Sequence, residues 1–214
     1  MRRVRAGAVL PRRSLSRNDF ASISRARSQI TYSQLLALVK SAAKALAAAG
    51  VGKGSRVLAH LPLVPQLPVL LLACARLGAV HSVSFAGFGA DALAQRIADE
   101  PPCVLVTADA FVRGAKTEYL KPVADAAIAK AAQRGIKVPK VLRFVFQFLC
   151  VMRLTPFEVL VVAGAGPKGG ELGHVAWTDG RDEWWHDAIE LAENRRDPPV
   201  EFVDAEHPLF SACL

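Results

Sequence analysis

The sequence lacks the groupings that build metal and thiol chemistry. Its four cysteines, Cys74, Cys103, Cys150 and Cys213, form no CxxC pair, and none stands near a histidine at ligand spacing. His60, His81, His174, His186 and His207 are equally scattered, with no HExxH pair. Protein metal sites need several such ligands clustered, so the pattern predicts none. No secretory leader is predicted either. Together with unpaired cysteines, this predicts a reducing intracellular compartment, cytoplasmic or mitochondrial. A membrane-spanning helix needs ~20 nearly uncharged apolar residues. The most apolar stretch, from Phe146 onward, is interrupted by Arg153, Pro156 and Glu158, so no span is predicted. Two glycine motifs are absent as well. Gly87-Phe88-Gly89 lacks the third glycine and the later acid of a dinucleotide fingerprint. The run AGAGPKGG (163–170) lacks the Lys followed by Ser or Thr of a P-loop, and is read as a flexible loop.

Acid is scarce at the N-terminus. Residues 1–28 hold eight arginines against one acid, Asp19, which accounts for +7 of the chain's net charge of +8. The basicity therefore belongs to this extension, and no basic face is left on the remainder to argue for nucleic acid. Arg and Ser with almost no acid is the composition of a mitochondrial transit peptide, although Pro11 and weak periodicity fit one poorly. Sequence with no selected role, such as a misassigned start, is the other reading.

Apolar residues make up 52% of the 214, enough for one domain, or one and a half, with a real core. Thr31 and Gln34 fit a capping box. Leu35, Leu38, Val39, Ala42, Leu46 and Ala49 then recur at helical steps as far as Gly50, a C′ glycine. A strand is predicted at Val57–Leu61, and a helix from about Pro65 to Arg76 that begins among Pro62, Pro65 and Pro68. Gly78 suits a left-handed cap. Ala79–Phe85 reads as a central strand covered on both faces, Gly87 and Gly89 as a turn, and Ala90 as a helix start. A strand at Cys103–Thr107, a helix from about Thr117 to Arg134 and a strand at Lys140–Val145 follow. This alternation predicts βαβ units, a largely parallel sheet and right-handed crossovers. Regularity fails from Phe146, and GRDEWWHDAIELA (180–192) resumes a helical pattern. A glycine turn between the carboxyl end of a parallel strand and a helix is where α/β proteins bind nucleotides.

Several blocks carry a resemblance: ITYSQLLALV (30–39), GVGKGSRV (50–57), LACARLGAVHSVSFAGF (72–88), ALAQRIAD (92–99), VLVTAD (104–109), VRGAK (112–116), GRDEWWH (180–186) and DAEHPLF (204–210). The sequence resembles the N-terminal part of the acetyl-CoA synthetases, members of the adenylate-forming acyl-CoA synthetase superfamily. The resemblance covers most of residues 30–145 and 179–210. It implies a partial three-layer α/β unit, the N-terminal portion of the family's large domain. The parts are a basic extension (1–28), an α/β region (29–146), an irregular apolar and Gly-rich insert (147–178) and a resumed family region (179–214).

The activity implied is adenylation of acetate with ATP and magnesium, followed by transfer to CoA. By resemblance, Phe85, Ala86 and Gly87 line the pocket for the CoA adenine. Arg113 and Lys116 of the VRGAK motif, with Gly114 and Ala115 between them, approach the CoA 3′-phosphate. A phosphate favours charge-assisted donors and close backbone approach, which suits this motif. Arg113 and Lys116 as plain solvated loop charges is the other reading. Relatives often carry Arg where Lys116 stands; lysine keeps the charge and loses the bidentate fork. No catalytic or metal-binding residue is assigned. The phosphate loop, acetate pocket, magnesium acid and catalytic lysine of the family are expected beyond Phe210, so ATP and Mg concern only a full-length enzyme. The chain is therefore expected to be inactive alone, with a non-catalytic CoA-, nucleotide- or partner-binding module as the alternative. It is also expected to expose apolar surface and to self-associate through it. Of the remaining candidates, Trp184 and Trp185 are read as helical residues packing on the domain. His81 is read as a hydrogen-bonded core histidine, and Arg76 and Arg96 as carbonyl caps or ion-pair partners.

Overall fold

A computed structural model describes residues 30–113, 116–144 and 176–212, with backbone only at residues 112, 113, 116, 117, 143 and 144. The basic extension, the AGAGPKGG run and nearly all of the 147–178 insert lie outside the described residues.

The capping box forms as the sequence dictates. Thr31 Oγ1 accepts from the Gln34 amide at 3.3 Å, and the Gln34 side chain accepts from the Thr31 amide at 2.8 Å. Helix α1 (Tyr32–Ala48) follows. It closes with Gly50 at φ 90°. The Gly50 amide donates to Ala47 and the Val51 amide to Leu46, each at 3.0 Å, the paired bonds of a Schellman ending. The chain continues through β1 (Arg56–Leu61), α2 (Gln66–Arg76), β2 (Val80–Phe85), α3 (Ala90–Asp99) and β3 (Val104–Ala108). Then come β4 (Ala110–Arg113), β5 (Lys116–Tyr119), α4 (Leu120–Gln133), β6 (Lys140–Phe144), β7 (Asp182–Trp184), α5 (Trp185–Ala192) and β8 (Phe210–Ser211).

Six strands form one sheet in the order β7-β6-β3-β1-β2-β8, and every pair in it is parallel. Alternation along the strands sorts the core into two layers. Val57, Ala59, Leu61, Val104 and Val106 pack with α1, α2 and α5 through Leu46, Leu70, Ala73 and Ala188. Leu58, Leu105 and Val141 pack with α3 and α4 through Leu93, Ile97, Ala124 and Ile128. The chain leaves β1 toward β2 in one direction and leaves β3 toward β6 in the other. Strand order therefore reverses between β1 and β3, the switch point beside which open α/β sheets bind ligands.

The end of α2 ties down the C-terminal segment. Gly78 has φ 65°, and a Cβ there would lie 2.8 Å from Glu201 Cγ. The Glu201 amide donates to the Arg76 carbonyl at 2.9 Å, and His207 Nε2 lies 3.0 Å from the Gly78 carbonyl. A Gly78→Ala substitution is expected to destabilise the fold by about 1–2 kcal/mol, from the left-handed backbone alone. Urea titration would read this as a lower midpoint at unchanged m-value, and an unchanged midpoint would contradict it.

The structure corrects four expectations. The helix predicted from Thr117 begins at Leu120, because the preceding residues form β5, paired antiparallel with β4. Trp184 lies on strand β7, and only Trp185 onward is helical, although both indoles are buried as expected. Strand β2 is not covered on both faces: Val83 and Phe85, which alternate onto one face, are exposed, and beyond Ser82 its outer edge is also unpaired by β8. His81 is half-buried rather than a hydrogen-bonded core residue. Its ring stacks on Phe210 at 6.1 Å, and its buried Nδ1 has no partner among the described residues.

Candidate functional site

Strand β2 ends in a tight turn in which the Phe88 amide donates to the Phe85 carbonyl at 3.0 Å. The Phe85 ring is 54% exposed, while Ala86 is buried beneath the turn. The two phenyl rings meet edge to face at 5.8 Å. A Cβ at Gly87 would come within 2.4 Å of the Phe85 ring, so a larger residue there would push that exposed ring aside. Arg96, on α3, steadies the turn by donating to the Val83 carbonyl at 3.0 Å, with its guanidinium 5.4 Å from the Phe88 ring centroid. Arg76 likewise donates to a carbonyl, that of Pro198, at 3.0 Å. Phe85, Ala86 and Gly87 thus form one connected feature.

Strand β3 ends differently. Only Asp109 separates it from β4, and the hairpin register runs Ala110↔Tyr119, Phe111↔Glu118, Val112↔Thr117 and Arg113↔Lys116. Arg113 and Lys116 are therefore the last cross-strand pair; Gly114 and Ala115, which join them, lie outside the described residues. The Asp109 carbonyl closes the base of the hairpin by accepting from the Leu120 and Lys121 amides at 2.8 and 3.3 Å. The turn after β2 and the hairpin after β3 leave the same carboxyl edge, separated by β1 alone. Two strand spacings amount to about 10 Å.

Sequence reasoning missed two features. The first is a polar row one residue below that edge, where the register aligns Thr107, His60 and Ser84, all fully buried. Burial pushes the His60 imidazole from 6.5 down to about 4, with the Ser84 backbone offsetting only part of the effect. Neither His60 nitrogen nor Ser84 Oγ meets the criteria for a hydrogen bond among the described residues. The signal available was the alternation Leu58–Ala59–His60, which puts the histidine on the same face as Leu58.

The second is an ion network between α4 and the GRD segment. Lys121, with no exposed surface, donates from Nζ to Asp125 Oδ1 and Oδ2 at 2.8 and 2.7 Å and to the Ala176 carbonyl at 3.0 Å. It also pairs with Asp182 at 2.8 Å. Arg181 spans the same two carboxylates, at 2.6 Å to each. Burial raises the Asp182 carboxyl, but hydrogen bonds from Arg181, Lys121 and the Thr178 amide, with the Lys121 charge, outweigh it and hold the group below the ordinary range.

Cys74 and Cys103, the cysteines among the described residues, are unsuited to nucleophilic work. Burial, with Cys103 nearby, pushes the Cys74 thiol up to about 12, and burial raises Cys103 as well. Among the described residues no three His, Cys, Asp or Glu side chains are grouped to hold a metal, and no helix is long and apolar enough to cross a membrane.

Comparison with known proteins fits this architecture. A family model described as "AMP-binding enzyme" matches residues 12–148, more than half of the chain. The chain is 42% identical over 181 residues to the chloroplastic/glyoxysomal acetyl-coenzyme A synthetase of Arabidopsis thaliana, covering 85% of this chain and 21% of that protein. It is 44% identical over 181 residues to the acetyl-coenzyme A synthetase of Streptomyces avermitilis, covering 85% and 23%. A solved acetoacetyl-CoA synthetase from Streptomyces lividans shares the fold with a TM-score of 0.64 at 24% identity, over 88% of this chain and 24% of that one. The chain thus spans less than a quarter of the length of these relatives.

Proposed function

The chain belongs to the AMP-binding enzyme family, and from that premise we propose that it supplies part of the CoA-binding side of an acetyl-CoA synthetase-type enzyme. The reaction of such an enzyme converts ATP, acetate and CoA to acetyl-CoA, AMP and diphosphate. The observation that carries the reading is the closing pair of the hairpin. Arg113 and Lys116 are direct cross-strand partners. Opposite residues of an antiparallel ladder share a face, and two like charges there repel, weakly where water and salt screen them, which an anion between them offsets. A terminal phosphate, such as the 3′-phosphate of CoA, relieves that repulsion through charge-assisted hydrogen bonds. Arg113 brings a planar fork and Lys116 a compact charge. At the neighbouring turn, the exposed Phe85 ring offers an aromatic face for adenine, and Gly87 keeps the backbone beneath that ring clear.

Adenylation of the acid is not assigned to residues of this chain, which spans 21–24% of the relatives' length. Incubated alone with acetate, ATP and magnesium, it is expected to release no diphosphate. The reading is tested by Arg113→Ala and Lys116→Ala. A hydrogen bond to a charged group contributes ~1.5–3 kcal/mol, so each substitution is expected to weaken CoA binding about 10- to 100-fold. Neither should change binding of dephospho-CoA. Equal CoA affinity in parent and variants would return both residues to solvated surface charges.

A further inference from the structure

The hairpin sits on an unusual foundation. Strand β5 runs into α4 with no residue between them, and β3 runs into β4 with only Asp109 between. The base of the hairpin therefore moves with the first turn of α4. Beyond the Asp109 carbonyl, which accepts from the Leu120 and Lys121 amides, that turn has no side-chain fastener: Tyr119, at the N-cap, makes no capping bond, and the turn contains no acid. Instead its second residue is Lys121, a cation at the positive end of a helix and fully buried, unfavourable on both counts. What retains it there is a full set of oxygen acceptors, from Asp125, Asp182 and Ala176. Arg181 ties Asp125 and Asp182 together, and the Thr178 amide donates to Asp182 at 3.0 Å. Two cations and two anions make the cluster neutral.

Buried ion clusters of this kind add little net stability over apolar packing, because desolvation offsets attraction. They do hold groups in a single geometry, since each displacement leaves a buried charge unmatched. We propose that Lys121 is a positioning residue for the β4–β5 hairpin: the Lys121–Asp125–Arg181–Asp182 cluster fixes the base from which Arg113 and Lys116 are presented. The link to CoA rests on the functional reading above; the link to the hairpin does not.

The test pairs amide hydrogen exchange with CoA titration on the whole chain. The charge-balanced variant K121M/D182N removes one cation and one anion together and leaves Arg181 paired with Asp125; D125N is the milder change should the double variant not fold. In either variant the β4 and β5 amides are expected to exchange at least tenfold faster, relative to those of β1 and β3, than in the parent. CoA affinity is expected to fall about tenfold with it. If exchange rises by the same factor in hairpin and sheet, or in neither, the cluster is a general support and the proposal is overturned. If exchange rises selectively but CoA affinity is unchanged, the positioning of the phosphate-facing pair is overturned. Should the parent itself bind no CoA, the functional reading falls, and the exchange ratio still decides whether Lys121 anchors the hairpin.

Discussion

Replacing Asp182 with alanine is expected to destabilise the chain by about 3–5 kcal/mol, the usual consequence of removing one partner from a buried ion cluster. Asp182 has no exposed side-chain surface, and it faces Lys121 at 2.8 Å and Arg181 at 2.6 Å. Its loss leaves the buried Lys121 and the partly buried Arg181 sharing Asp125, and deprives the Thr178 amide of its acceptor. Domains of this size are stable by about 5–15 kcal/mol, so the variant should sit close to its unfolding threshold at 25 °C. Equilibrium denaturation in urea measures the loss directly. A change under about 1 kcal/mol, the level of an exposed pair, would mean that water screens the cluster.

Acid is expected to lower the stability of the protein over two pH ranges, and His60 dominates the first. Its pKa is about 4 in the fold against an ordinary 6.5. Above pH 6.5 both folded and unfolded chains carry it neutral, and its contribution is fully present. As pH falls below 6.5 the unfolded chain takes up a proton that the folded chain refuses, so stability declines until the folded imidazole protonates near pH 4. Over that window the loss is roughly 3 kcal/mol. Asp182 governs the second range. Its folded pKa is depressed, so its contribution is complete above the unfolded carboxyl's ~3.9 and is lost as pH falls through the lower folded value. In a His60→Leu chain the decline between pH 6.5 and 4 should shrink to the part due to His81, which burial also lowers, while the one below pH 4 persists. Urea midpoints across pH 3–8 would show both ranges. An unchanged slope between pH 6.5 and 4 in the variant would remove His60 from the account.

Helix α1 and the central strands were legible because local signals agree with the fold. Thr31 and Gln34 cap where they should, Gly50 and Gly78 end helices with positive φ, and β1, β3 and β6 are short apolar runs between them. The hairpin was not legible. KTEY is a four-residue strand with Lys and Glu, residues depleted from strands, and it exists because β4 lies beside it. Strand β7 was hidden because Glu183 and Trp184 run straight into a helical period. The candidate turn at Phe85–Gly87 could be read from its glycines, whereas the ion cluster could not. Lys121 and Asp125 look like an ordinary i,i+4 surface pair, and Arg181 lies 56 residues from Asp125. Only the tertiary fold makes that pair part of a cluster of four around the buried Lys121 and Asp182. His60 escaped notice for a related reason: a histidine within VLAHL draws attention only once the register aligns it with Ser84 and Thr107.

The most direct test of the central claim is calorimetric titration of this chain with CoA, beside dephospho-CoA under the same conditions. The account predicts saturable heat with CoA in the millimolar range or tighter, and binding of dephospho-CoA at least tenfold weaker because it gives Arg113 and Lys116 no terminal phosphate. No heat with CoA at millimolar concentration, or equal affinity for the two ligands, would contradict it.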